Sequence, residues 1–155
     1  MTESNSGAME ARREHIRRFV PSEPKESLTQ GANHIAVYCK DLDATAQFYT
    51  EVMGMPLLNV MDNRDVPEST HMNIDIGGGM ALSFFDFPHI PRLTEFATEG
   101  VGNVMHIALE ISKQRYAEIR QRLDEKSVPY EEVGGSIYVR DPNRLNLELL
   151  IMDYH

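Results

Sequence analysis

The apolar residues of this chain change their spacing in a fixed order, and the order occurs twice. "NHIAVYC" (33–39) is rich in β-branched and aromatic residues and reads as a strand. "DLDATAQFYTEVMGM" (41–55) switches to a helical period. Phe48 and Val52 stand at i, i+4, Asp41 or Asp43 is placed to cap the start, and Gly54 to stop it. "PLLNVMDN" is a second strand and "RDVPEST" a loop. "HMNIDI" and "MALSFFDF" then form a hairpin around Gly77, Gly78 and Gly79, whose positive φ suits the turn.

The order then restarts. "VMHIALEI" is a strand, and "SKQRYAEIRQRLDEKSV" a helix capped by Ser112, with an apolar stripe of Tyr116, Ile119 and Leu123. "PYEEV" is a short strand. "SIYVR" and "LNLELLIM" close the domain as a hairpin through the turn "DPNR", with Pro142 at its second position. His34 precedes Pro56 by 22 residues, and His106 precedes Pro129 by 23. Repetition of element order and spacing outweighs any single residue. The expected fold is α+β, with two tandem βαβββ modules (32–90 and 101–152) forming a U-shaped mixed sheet around a cleft, in a domain spanning 31–152.

Residues 1–30 are read as an N-terminal helical and linker extension. A short helix over 8–20 carries Ile16, Phe19 and Val20 on one side, and a Pro- and Ser-bearing linker follows. His15, among charged neighbours, is read as a solvated surface residue.

Length and charge narrow the function. A chain of 155 residues fits one domain, and its net charge of −9 opposes nucleic-acid binding. No apolar run approaches the ~20 residues that a membrane helix needs, and "MTESNSGAMEARR" lacks the apolar segment of a secretory signal. A single cysteine, Cys39, excludes an intrachain disulfide. These features point to a cytoplasmic protein with neither nucleic acid nor membrane as a partner.

The repeat also places one histidine at the head of each first strand, His34 and His106. Modules related by a pseudo-twofold axis would aim both rings into one cleft. Glu148 lies inside the apolar strand "LNLELLIM", where a carboxylate needs a partner. Two imidazoles and one carboxylate form the facial triad that holds Fe(II) and similar divalent ions with open coordination positions. Aligning "NLELL" with "ALSFF" sets Ser83 opposite Glu148, and a serine hydroxyl ligates such ions poorly.

"HIAVYCKDLDATAQFYTEVMGMPLL" and "IYVRDPNRLNLELL" together resemble the vicinal oxygen chelate superfamily over residues 32–152. That group includes glyoxalases, extradiol ring-cleaving dioxygenases, fosfomycin-resistance transferases and bleomycin-binding proteins. The resemblance implies a metal held by His34, His106 and Glu148 in the cleft between modules. It also implies a substrate-orienting role for Tyr138, ten residues before Glu148 as in extradiol enzymes. Their acid–base histidine corresponds here to Met80, which leaves His71 as the substitute. If residues 76 and 80 face each other across the turn, 73 pairs with 83 and 71 with 85. His71, Asn73, Ser83 and Phe85 then share one face.

The reading that follows is a metal-dependent enzyme, an Fe(II) extradiol-type dioxygenase acting on a small catechol-like aromatic, with Mn, Ni, Co or Zn as alternative ions. Tyr138 and His71 are its catalytic candidates, and Ser83, Asn73, Phe85 and Met80 its substrate contacts. Phe84, Phe87, Met72, Leu58 and Met61 are further apolar lining candidates that ordinary core packing also accounts for. Arg140 is expected on the face opposite Tyr138, and His89 at the surface. The alternatives are an oxygen-independent isomerase, epimerase or lyase, and a metal-free protein that sequesters aromatic ligands. A homodimer is expected, with the cleft built either within one chain or across two.

Overall fold

The structure, a computed structural model, describes residues 3–91 and 100–151. The chain divides into two compact units, Met1–Gly31 and Ala32–His155. In the first, helix α1 spans Glu3–Arg17, and its Arg17 guanidinium is paired with Glu10 and Glu14 at 2.8 and 2.9 Å. The helix starts earlier than the pattern predicts and ends before Phe19 and Val20. Pro21 disfavours helical geometry at the residue before it, so the chain leaves through tight turns from Phe19 to Ile16 and from Val20 to Arg17.

The second unit has the doubled order. Module one comprises β1 (His34–Tyr38), α2 (Leu42–Gln47), a π-helical turn (Phe48–Val52), β2 (Leu57–Asp62), β3 (Thr70–Gly77) and β4 (Met80–Phe85). Module two comprises β5 (Ile107–Glu110), α3 (Lys113–Glu125), β6 (Tyr130–Val133), β7 (Ser136–Arg140) and β8 (Asn146–Leu150). The sheets run β1-β4-β3-β2 and β5-β8-β7-β6, each with one parallel pair and two antiparallel pairs. The architecture is α+β, with each module contributing four strands. Among the described residues the two sheets share no strand pairing.

Alternation along the strands sorts each sheet into two faces. Met72, Ile74, Leu82 and Phe84 of sheet one, and Ile137, Val139, Leu147 and Leu149 of sheet two, are buried in a single core with Phe48, Tyr49, Val52, Ile119 and Leu123. Met72 and Phe84 are therefore core residues rather than cleft lining. The opposite faces carry His34, Ser83, Asn73 and His71 in sheet one, and Glu148 and Tyr138 in sheet two.

Asp41 caps α2 by accepting from the Ala44 N–H at 2.9 Å, and Ser112 caps α3 through the Arg115 N–H at 3.2 Å. The regular helix expected through Val52 gives way to the π turn, whose Met53 N–H bonds to the Phe48 carbonyl at 3.0 Å. The extra residue per turn lets the adjacent Phe48 and Tyr49 both enter the core. Gly54 ends the segment at φ +68°, beside the Arg122 guanidinium, where a Cβ would collide. Among the described residues no helix is long and apolar enough to cross a membrane.

Candidate metal and substrate site

The repeat holds at the level of register. Ala36 of β1 pairs with Ser83 of β4, and Ala108 of β5 pairs with Glu148 of β8. Ser83 in turn faces Asn73, as Glu148 faces Tyr138. The predicted hairpin pairs, His71 with Phe85 and Asn73 with Ser83, are both present.

In module two, His106 Nε2 lies 3.0 Å from Glu148 Oε2, and both side chains are largely buried. Tyr138 donates its hydroxyl to the same carboxylate, Ser136 adds a further hydrogen bond, and the Tyr138 ring meets His106 edge-on at 5.8 Å. The Tyr138 hydrogen bond, with those of Ser136 and the nearby His106, holds the Glu148 carboxyl below its usual range despite burial. The same bond to Glu148, with burial and the negative charge, raises the Tyr138 hydroxyl above its usual value. The carboxylate is thus kept ionised, as a metal ligand must be.

In module one, His34 heads β1, and its Nδ1 lies 2.8 Å from Asn33 Oδ1. The amide oxygen can only accept, so Nδ1 carries the proton and Nε2 presents a lone pair. A ring nitrogen held in this way by a carbonyl is the arrangement found in metal-ligating histidines. His34 borders a cleft of about 370 Å³ with Asn59, His71, Asn73, Met80 and Ser83.

That cleft contains a hydrogen-bonded chain. Asn73 Nδ2 donates to Asn59 Oδ1 at 2.7 Å, which turns Asn73 Oδ1 toward Ser83 Oγ and His71 Nε2. With Asn73 Oδ1 as acceptor, His71 donates from Nε2. The His71 ring lies flat against Phe85, with centroids 4.2 Å apart.

Each predicted site residue thus has a place. His106, Glu148 and Tyr138 meet in one cluster. His34, His71, Asn73, Ser83 and Met80 line the cleft of the other sheet. Phe85 lies behind His71, outside that lining, and the buried Ser83 hydroxyl is committed to Asn73. Among the described residues no three His, Cys, Asp or Glu side chains stand close enough to hold one ion, so a single chain does not bring His34 to His106 and Glu148.

The donors nevertheless suit a divalent metal. An imidazole and an ionised carboxylate are donor types that such ions take, and here His106 and Glu148 stand in direct hydrogen-bond contact at 3.0 Å. Arg140 departs from its expected position: two residues beyond Tyr138 on β7, it shares Tyr138's face. Asn33, Asn59 and Ser136 were not anticipated. Ser136 was within reach, since it alternates with Tyr138, whereas nothing in the local pattern marks the two asparagines.

A sequence profile described as the Glyoxalase/Bleomycin resistance protein/Dioxygenase superfamily matches residues 31–149. Among curated proteins, the chain is 44% identical over 52 residues to a lactoylglutathione lyase of Arabidopsis thaliana, covering 34% of this chain and 17% of that one. It is 25% identical over 107 residues to MhqE of Bacillus subtilis, provisionally named a ring-cleaving dioxygenase, covering 67% and 34%. The chain thus spans about a sixth to a third of the length of these relatives. Among solved structures, the fosfomycin resistance protein FosX of Listeria monocytogenes, complexed with Mn(II) and sulfate, superimposes with a TM-score of 0.61 at 21% identity, covering 81% of this chain and 95% of that one. That likeness concerns the fold. With the profile match across both modules, the chain belongs to the glyoxalase, bleomycin resistance protein and dioxygenase superfamily.

Proposed function

We propose that this protein is a divalent-metal enzyme that acts on a substrate bearing vicinal oxygens, and that its reaction is extradiol-type cleavage of a catechol-like ring. His34, His106 and Glu148 hold the ion, with Fe(II) as the proposed metal, although the same donors accept Mn, Ni, Co or Zn. The observation that carries this reading is the His106–Glu148 pair at 3.0 Å, with Tyr138 and Ser136 bonded to the carboxylate. In this reading His34 completes the set from a second copy of the chain, since within one chain it heads the first strand of the other sheet.

When bound, the ion supplies Lewis acidity that lowers the pKa of the substrate oxygens. The remaining work falls to the chain. Asn33 fixes the His34 tautomer, and Ser136 and Tyr138 keep Glu148 ionised and oriented. His71, held through Nε2 by Asn73, lines the end of the substrate cleft away from His34. Phe85 fixes the plane of that ring from behind.

Complementation tests both parts. His34→Ala and Glu148→Ala homodimers are expected to lose metal, measured by elemental analysis. A mixed dimer is expected to regain one site, because one of its two clefts is then wild type. No metal loss in Glu148→Ala would refute the ligand set, and no rescue in the mixed dimer would refute assembly across copies.

A second reading keeps the metal and removes oxygen: a lyase or isomerase, favoured by the 44% identity to lactoylglutathione lyase over 52 residues. Turnover without oxygen would select it.

A further inference from the structure

The open face of sheet one is ordered in rows that run across the strands. The first row is His34–Ala81–Asp75, the second Ala36–Ser83–Asn73–Asn59, and the third Tyr38–Phe85–His71–Met61. Each row has its own chemistry. The first offers the His34 imidazole, a small alanine and the Asp75 carboxylate, which accepts from the Gly77 N–H at 2.8 Å. The second is a neutral chain of amide and hydroxyl groups, linked by the Asn59, Asn73 and Ser83 hydrogen bonds. The third is aromatic, and it continues beyond the strand end. Phe85 lies parallel to Phe87 with centroids 5.8 Å apart, and Phe87 meets both Tyr38 and His89.

Alternate residues of a strand stand about 7 Å apart, so the third row lies about 13 Å from the first. A catechol is too short to reach from the metal row to the aromatic row. His71 is the member of the third row that lines the cleft, and Asn59 and Asn73 are members of the second that do. A ligand anchored at His34 and lying along the face therefore crosses amide groups before it meets a ring.

We infer that the substrate is an elongated aryl compound: vicinal oxygens at one end, a hydrogen-bonding acyl or amide group in the middle, and a flat aromatic ring at the far end over His71. Only the first of these three assignments rests on the metal reading above. The middle group follows from the Asn59–Asn73–Ser83 chain, whose amides give both donors and acceptors to a neutral polar group and no countercharge to an anion. The ring follows from the His71–Phe85–Phe87 column, against which a planar face packs better than an alkyl chain.

The test uses three hydroxamates, whose vicinal oxygens chelate metals, titrated calorimetrically against full-length protein both loaded with Mn(II) and treated with EDTA. Hippurohydroxamate carries the amide and the ring, its hexanoyl analogue carries the amide without the ring, and benzohydroxamate carries the ring without the spacer. Hippurohydroxamate is expected to bind at least tenfold more tightly than either. Its advantage over the hexanoyl analogue should survive His71→Phe and fall below threefold in His71→Leu. Its advantage over benzohydroxamate should fall in Asn59→Leu, an exposed position where folding is easily checked by circular dichroism. Equal affinities for the aryl and alkyl probes, or for the spaced and unspaced ones, would overturn the inference. A preference for the ring that appears equally with and without Mn(II) would uphold the ring assignment while refuting the metal reading. Binding by none of the probes would refute both.

Discussion

The Tyr49 hydroxyl donates to Asp141 Oδ2 at 3.1 Å, and this contact ties the π turn of module one to the β7–β8 turn of module two. Both residues are buried. The carboxylate also accepts from the Asn143 and Leu145 N–H groups, each at 2.8 Å, and from Asn143 Nδ2. Asn143 Nδ2 reaches Thr45 as well, at 3.1 Å. Asp141→Ala leaves several buried donors without an acceptor and is expected to cost about 2–4 kcal/mol, against about 1 kcal/mol for Tyr49→Phe. Urea unfolding followed by circular dichroism measures both.

The same residue gives a pH dependence. Burial raises the Asp141 carboxyl above its usual value, and the hydrogen bonds from Asn143, Leu145 and Tyr49 only partly offset this. A carboxyl raised in the folded state favours folding most when protonated. Its contribution is full below the unfolded value and is lost as pH rises through the folded one. The stability of wild type relative to Asp141→Asn should therefore fall as pH climbs from about 3.5 toward neutrality, read from thermal melts of the two proteins at matched pH. A difference that grows with pH would contradict this.

Under the proposed ligand set, Asn33 would act on the metal through its contact with His34 Nδ1 at 2.8 Å. Asn33→Ala is expected to weaken metal affinity about 10–100-fold while the fold is kept, whereas Asn33→Asp preserves it by supplying a carboxylate acceptor to the same Nδ1. Competition against a chromogenic chelator gives the affinities.

Gly54→Ala should destabilise the fold by at least about 1–2 kcal/mol, because a side chain is disfavoured at positive φ. The new Cβ would also displace the Arg122 guanidinium. Pairing it with Arg122→Ala separates the two costs: relief by the second substitution is the steric part, and what persists is the backbone part.

Much of module one was readable because short-range rules fix it. The three glycines set the hairpin, the hairpin sets the register, and the register puts His71, Asn73 and Ser83 on one face. The equivalence of Ser83 and Glu148 followed from the repeat in the same way. The π turn was hidden, because Phe48 and Val52 fit an ordinary helix and the added residue answers to core packing around Tyr49. Met72 and Phe84 were ambiguous for a similar reason: an apolar residue on a strand does not say which face holds the core. Whether His34 meets Glu148 depends on how the two sheets and any second copy assemble, and no local period encodes that.

The two copies of the module have diverged at one matched position: Glu148 stands in the second where Ser83 stands in the first. A doubled scaffold allows such a division of labour. One half keeps the charged donor and is narrowly constrained by it. In the other a serine stands at that position, so a change at Asn59, which borders the sheet-one cleft, leaves the half that holds the carboxylate untouched.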